Sequence, residues 1–170
     1  MKRLLTILCI PAALLLLGAA EASGADPSLQ YGYEAIKAGN YAAALREFRP
    51  LAEQGVGGAQ HNLGYMYHQG KGVLQDYAQA RKWWLKAADQ GIVESQYSLG
   101  LMYHKGDGVA QDYVQAHMWY NLAAAQGYED AAEQRDKVAE SMTSAQVAKA
   151  QGLARSHKCG ALDKLLGDCP

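Results

Sequence analysis

The stretch from Asn62 to Gly91 is written a second time from Ser98 to Gly127. The first copy reads NLGYMYHQGKGVLQDYAQARKWWLKAADQG and the second SLGLMYHKGDGVAQDYVQAHMWYNLAAAQG. An offset of 36 residues lays Leu63, Gly64, Met66, Tyr67, His68, Gly70, Gly72 and Val73 onto Leu99, Gly100, Met102, Tyr103, His104, Gly106, Gly108 and Val109. The match runs on through Gln75-Asp76-Tyr77, Ala80, Trp83, Ala87-Ala88 and Gln90-Gly91 to Gln111-Asp112-Tyr113, Ala116, Trp119, Ala123-Ala124 and Gln126-Gly127. A period in the thirties marks a stacked array whose units bury their apolar faces only against one another. That points to a binding scaffold as the class of function.

Each unit reads as two helices around a glycine-rich turn. Leu63, Met66 and Tyr67 recur at i, i+3 and i+4 and form the packing stripe of the first helix. Ala80, Trp83-Trp84 and Ala87-Ala88 do the same for the second. Gly70-Lys71-Gly72 and Gly106-Asp107-Gly108 turn the chain between them, and Asp76 and Asp112 are placed to cap the second helices. Gly64 and Gly100 sit inside a helix at a cost of about 1 kcal/mol against Ala. Close approach of a neighbouring helix through the Ala80, Ala87-Ala88 surface is the expected compensation. The pattern is an all-α helix-turn-helix solenoid.

A fainter copy precedes these two. Tyr41, Ala44, Phe48, Ala52, Gln54 and Gly55 stand 36 positions before Tyr77, Ala80, Trp84, Ala88, Gln90 and Gly91, with Asn40 as N-cap and Gly39 and Gly55 ending helices. The array is therefore assigned to residues 28–127, in units 28–55, 57–91 and 93–127. Residues 128–158 are more polar and include Thr143 with Gln146 three later, a capping-box signature. They are expected to be two helices capping the array. Residues 159–170, CGALDKLLGDCP, form a short tail.

Residues 1–22 read as a signal peptide. Met1-Lys2-Arg3 is a basic start, Leu4 to Leu17 is apolar but for Thr6 and Pro11, and Ala20-Glu21-Ala22 fits an A-x-A cleavage site. The apolar run falls short of the ~20 residues of a spanning helix. The alternative, an uncleaved anchor, would make the chain an envelope-bound structural subunit. Cleavage near Ala22 implies a periplasmic or secreted protein with no membrane span, and leaves Cys159 and Cys169 as its cysteines. In an oxidising compartment that even pair reads as a disulfide clipping the tail. A free thiol pair or metal ligation has no supporting residues nearby, since there is no C-x-x-C and His157 is a lone imidazole.

Chemistry-bearing patterns were weighed in turn. With 16 Lys and Arg against 17 Asp and Glu, and no basic run, nucleic acid is not an expected partner. His61 and His68 share a helix face but stand about 10 Å apart, and metal ligands prefer i, i+4. His68 recurs as His104, which reads as a polar position inherited by duplication; a metal site between units is the lesser alternative. His117 stands where Arg81 stands in the other copy and is expected on the surface. The glycine pairs match neither phosphate-loop pattern, and Asp107 lacks the alternating ligands of a calcium loop. Neither G-x-S-x-G nor S-x-x-K occurs. No catalytic residue, cofactor or metal is assigned, and the chain is not expected to be an enzyme.

The pattern LG-x-M-Y-x-x-G-x-G-V-x-Q-D-Y-x-x-A-x-x-W-x-x-x-A-A-x-Q-G, at Leu63–Gly91 and Leu99–Gly127, resembles the Sel1-like repeat. That is a tetratricopeptide-like unit with a longer inter-helix turn. The resemblance implies a right-handed superhelix that serves as a non-catalytic adaptor for protein complexes, often at the bacterial envelope. It also implies that first helices line the concave side. Residues there outside the packing stripe are the candidate partner-binding surface: Tyr33, His61, Asn62, Tyr65 and Gln69, then Tyr97, Ser98, Leu101 and Lys105. Tyrosine anchors among amide and hydroxyl neighbours suit a peptide or partner protein. The competing view is that these are solvated helix residues without a ligand. Cysteine-bearing relatives have been linked to peptidoglycan or β-lactam binding or hydrolysis, which stands as the alternative function. The repeats here contain no Cys, so that activity is not carried over.

Overall fold

The computed structural model describes residues 27–158. Residues 1–22, read above as a signal peptide, and the Cys159/Cys169 pair lie outside the described residues. Those described form helices α1 (Pro27–Lys37), α2 (Tyr41–Glu53), α3 (Gly57–Gln69), α4 (Tyr77–Asp89), α5 (Val93–Lys105), α6 (Tyr113–Ala124), α7 (Glu129–Glu140) and α8 (Ser144–Lys158). No strand occurs among them, and none of these helices is long and apolar enough to cross a membrane. The protein is an α-solenoid: α1 packs on α2, α3 on α4 and α5 on α6, and each pair docks on the next.

The helix boundaries follow from side chains that satisfy orphan backbone groups. Asn40, Asp76 and Asp112 accept hydrogen bonds from the backbone N–H groups of Ala43, Gln79 and Gln115 at 3.1, 2.9 and 3.0 Å. The glutamine before each repeated aspartate has a matching task. The Nε2–H groups of Gln75 and Gln111 donate to the carbonyls of His68 and His104, 2.8 and 2.7 Å away, where α3 and α5 run out of partners. Gly70 and Gly72, with φ of +65° and +73°, then reverse the chain in a backbone region closed to most side chains. Thr143 and Gln146 form the capping box of α8, each side chain accepting from the other's backbone N–H.

The helical glycines are explained by rings, not by the small alanine surface expected from the sequence. A Cβ on Gly64 would fall inside the indole of Trp84, and one on Gly100 inside the ring of Tyr120. Gly32 meets Phe48 in the same way. The alanines instead fill the space beside these rings: Ala80, Ala87 and Ala88 are buried. The first pair keeps this ring-on-glycine contact although only three residues separate α1 from α2, against seven between α3 and α4.

Successive pairs are joined by a repeated glutamine interlock. Buried Gln60 donates to the Ala52 carbonyl at 3.0 Å and accepts from Gln90 at 2.7 Å. Gln96 donates to the Ala88 carbonyl at 3.3 Å and accepts from Gln126 at 2.9 Å. The next place in the series is Ala132, where the interlock stops.

Two corrections belong to the C-terminal end. Helix α8 turns back onto α6, where Ala150 and Ala154 pack with Trp119 and Leu122, instead of pairing with α7 as the earlier helices pair. Helix α6 is consequently covered by both α7 and α8. His117, expected at the surface by analogy with Arg81, is 3% exposed, while Arg81 on the less covered α4 does lie open to solvent.

Candidate functional site

Because α3 and α5 are equivalent helices one unit apart, they present equivalent side chains side by side. A cavity of about 230 Å³ lies between them. Tyr65 and Gln69 reach it from α3, and Tyr97, Ser98, Leu101 and Lys105 from α5. Those six were singled out from the sequence. His68, Trp84 and Asp107 line it too, and sequence reasoning assigned none of them to the site. Trp84 comes from α4 beneath, its indole Nε1–H donating to the His61 carbonyl at 3.2 Å. Asp107 comes from the turn after α5, which lies back against the preceding unit.

The remaining candidates lie elsewhere. Asn62 is 8% exposed and its Nδ2–H donates back to the Gly58 carbonyl at 2.7 Å, so it serves the helix and not a groove. His61 is half-buried, its Nδ1 2.9 Å from the hydroxyl of Ser95, which is wholly buried. Burial holds the His61 imidazole below its ordinary pKa, against a smaller opposing effect of Glu94. Tyr33 stays exposed on α1, with its ring edge-on to Phe48 at 5.6 Å.

The polar centre of the pocket is one histidine–carboxylate hydrogen bond. His68 Nε2 is 3.2 Å from Asp107 Oδ2, and His68 Nδ1 is 2.9 Å from the side-chain nitrogen of Gln69. Gln69 donates to Nδ1, so the proton of a neutral imidazole sits on Nε2 and points at the carboxylate. Trp84 and Tyr77 hold the imidazole ring in place at centroid distances of 5.1 and 5.2 Å. The equivalent turn residue one unit earlier is Lys71, and it behaves differently. Its ammonium donates to the Tyr65 hydroxyl at 2.6 Å and lies over the rings of Tyr65 and Tyr41. Its hydrogen bond to the Tyr65 phenol, with the nearby Tyr41 phenol adding to it, holds it above its ordinary pKa.

Beyond α5 the surface becomes acidic. Tyr97 stacks on Tyr128 at 4.9 Å and on Tyr120 at 5.7 Å. Burial first, then the charge of Asp130, raises the Tyr97 phenol above its usual value, and Glu133 adds to this. Tyr120, wholly buried, is raised further by burial. The Ser98 hydroxyl is committed to the Glu94 carbonyl at 2.7 Å. Among the described residues no three His, Cys, Asp or Glu side chains are grouped to hold a metal ion. What the pocket offers is an aromatic wall, a fixed carboxylate and a polar rim.

The repeating unit itself can now be placed. A model of the Sel1 repeat matches residues 58–92 and again 93–128. Residues 58–128 are two Sel1 repeats. Two solved structures carry the same fold. A protective antigen present in uropathogenic Escherichia coli strains, described as displaying an SLR fold, is 34% identical with a TM-score of 0.75, over 81% of this chain and 30% of its own. A Sel1 repeat protein from Oxalobacter formigenes is 30% identical with a TM-score of 0.64, over 78% of this chain and 55% of its own. This chain thus spans well under two thirds of either Sel1 relative. Among curated proteins none matches it.

Proposed function

We propose that this Sel1 array is a non-catalytic scaffold of the cell envelope that binds a protein or peptide partner on its first-helix face. The observation that carries this reading is the pocket between α3 and α5, where Tyr65, Tyr97, Leu101 and Trp84 converge at the joint between two repeats. Sel1 solenoids generally act as protein–protein interaction scaffolds, and at about 230 Å³ the cavity is smaller than most small-molecule sites and fits one large side chain. Export is proposed from the basic start, apolar run and A-x-A motif of residues 1–22. The description of the Escherichia coli relative as a protective antigen fits an exported protein.

Photo-crosslinking in cells tests the surface. A photoreactive residue replaces Tyr65 in one strain and Lys82, exposed on α4, in another. A discrete protein adduct from position 65 and none from 82 supports the groove; adducts from 82 alone move the working surface to the second helices. The intact mass of the isolated protein tests export, with loss of residues 1–22 the expected result.

A further inference from the structure

The pocket also carries information about what it binds, and this rests on the reading above. Its lining combines aromatic faces with a single carboxylate, Asp107. One carboxylate oxygen accepts from His68; the other, Oδ1, receives no hydrogen bond from any described residue. The Gln69 amide donates to His68 Nδ1, which leaves Nε2 as the donor to Asp107 and sets the carboxylate beside the aromatic wall. Around the adjoining Tyr97, the charges near enough to raise its phenol include Asp130 and Glu133, and the cation there, Lys137, is bonded to Glu133. Lys71 does not line the cavity, but its ammonium is bonded to the Tyr65 hydroxyl and lies over that ring, so Tyr97 and Trp84 are the aromatic faces of the pocket without a cation on them. Lys105 is exposed at the mouth, where its long stem lets the ammonium stay in water.

We propose that the pocket receives an arginine side chain of the partner, its guanidinium stacked against Tyr97 and Trp84 and hydrogen-bonded to Asp107. The chemistry favours arginine over other side chains. An apolar anchor would leave a half-buried carboxylate facing it. An acidic one would meet that carboxylate directly. A planar guanidinium stacks on aromatic faces and donates to a carboxylate oxygen at once, which a lysine ammonium does less well.

Selection from a random peptide library displayed on phage, with the purified protein immobilised, tests this. The expected result is enrichment of one arginine position. Synthetic copies of a selected peptide should then lose at least tenfold in affinity when that arginine is replaced by citrulline, which keeps the shape and removes the charge. Asp107→Asn should lose a similar factor, Asp107→Glu less, and Lys82→Ala nothing. The citrulline peptide meets the unaltered protein, so a folding defect in a variant cannot mimic the result. Selected peptides with an aliphatic, aromatic or acidic anchor, blocked by a Leu101→Arg pocket variant, would overturn the arginine assignment and leave the groove standing. Arginine peptides indifferent to Asp107 would overturn it as well. No peptide enriched above the bare support would take down the groove and the arginine together.

Discussion

Gly64 and Gly100 do more than allow helices to approach. Each is the floor on which an aromatic ring of the second helix lies, and the ring in turn enters the core shared with the following helices. Adding one methyl group forces Trp84 or Tyr120 out of position. Gly64→Ala is therefore expected to destabilise the protein by roughly 1–3 kcal/mol despite the better helix propensity of Ala, read from the midpoint of urea unfolding. A second residue-scale effect concerns acid. Burial, then the charge of Arg135, lowers the pKa of His117, and burial does the same to His61. The unfolded chain takes up these protons first, near pH 6.5, so stability is full above that and falls as the pH drops toward the folded-state values. The buried Nδ1 of His117 has no hydrogen-bond partner among the described residues, so His117→Phe is expected to cost little at pH 8. It should also flatten the decline below pH 6.5, measured by the same unfolding curves.

At the scale of elements, two of the apolar joints between helix pairs carry a buried polar link. Gln60 spans α2, α3 and α4 with two hydrogen bonds from a nearly buried amide. Replacing it by Leu removes one hydrogen bond each from the Ala52 carbonyl, which keeps the Gly55 N–H, and from the Gln90 amide, which keeps the Lys86 carbonyl, at a cost of about 1 kcal/mol. The check is faster amide exchange across α2 and the start of α3 than in α6. These elements were largely legible in the sequence. Asn40, Asp76 and Asp112 mark helix starts and the paired glycines mark turns, because capping and left-handed backbone are local matters. Contacts between elements were not legible to the same degree. Nothing local says that Trp84 lies on Gly64, 20 residues away, or that Asp107 reaches His68 across 39. The pocket was read in part for the same reason. Its first-helix residues follow from the period, whereas Trp84 and Asp107 enter from beneath and from a turn. The charge reversal from Lys71 to Asp107 in an otherwise faithful duplication was the available signal.

For the whole molecule, the departure from the repeat is α8, and the burial of His117 could not be read from a period that α8 does not obey. By folding back on α6 it covers Trp119 and Leu122, which an array ending at α7 would leave open. Truncation after Ser141 is expected to lower the melting temperature and produce aggregates on size-exclusion chromatography, with dye binding to the uncovered apolar face.

The glutamine interlock has one more consequence. Gln60 holds Ala52 as Gln96 holds Ala88, and the turn glycines Gly72 and Gly108 rest on Tyr41 and Tyr77 alike. These two joints accept the same neighbour. Loss of residues 57–92 would bring Gln96 to Ala52 and Gly108 to Tyr41, a shorter array with intact couplings, but the pocket would be gone because it exists only where two full repeats meet. Length and recognition are thus separately heritable: a gene of this kind can gain or lose a repeat by recombination and still encode a folded product, while the turn residues at each new junction remain open to selection for a different guest.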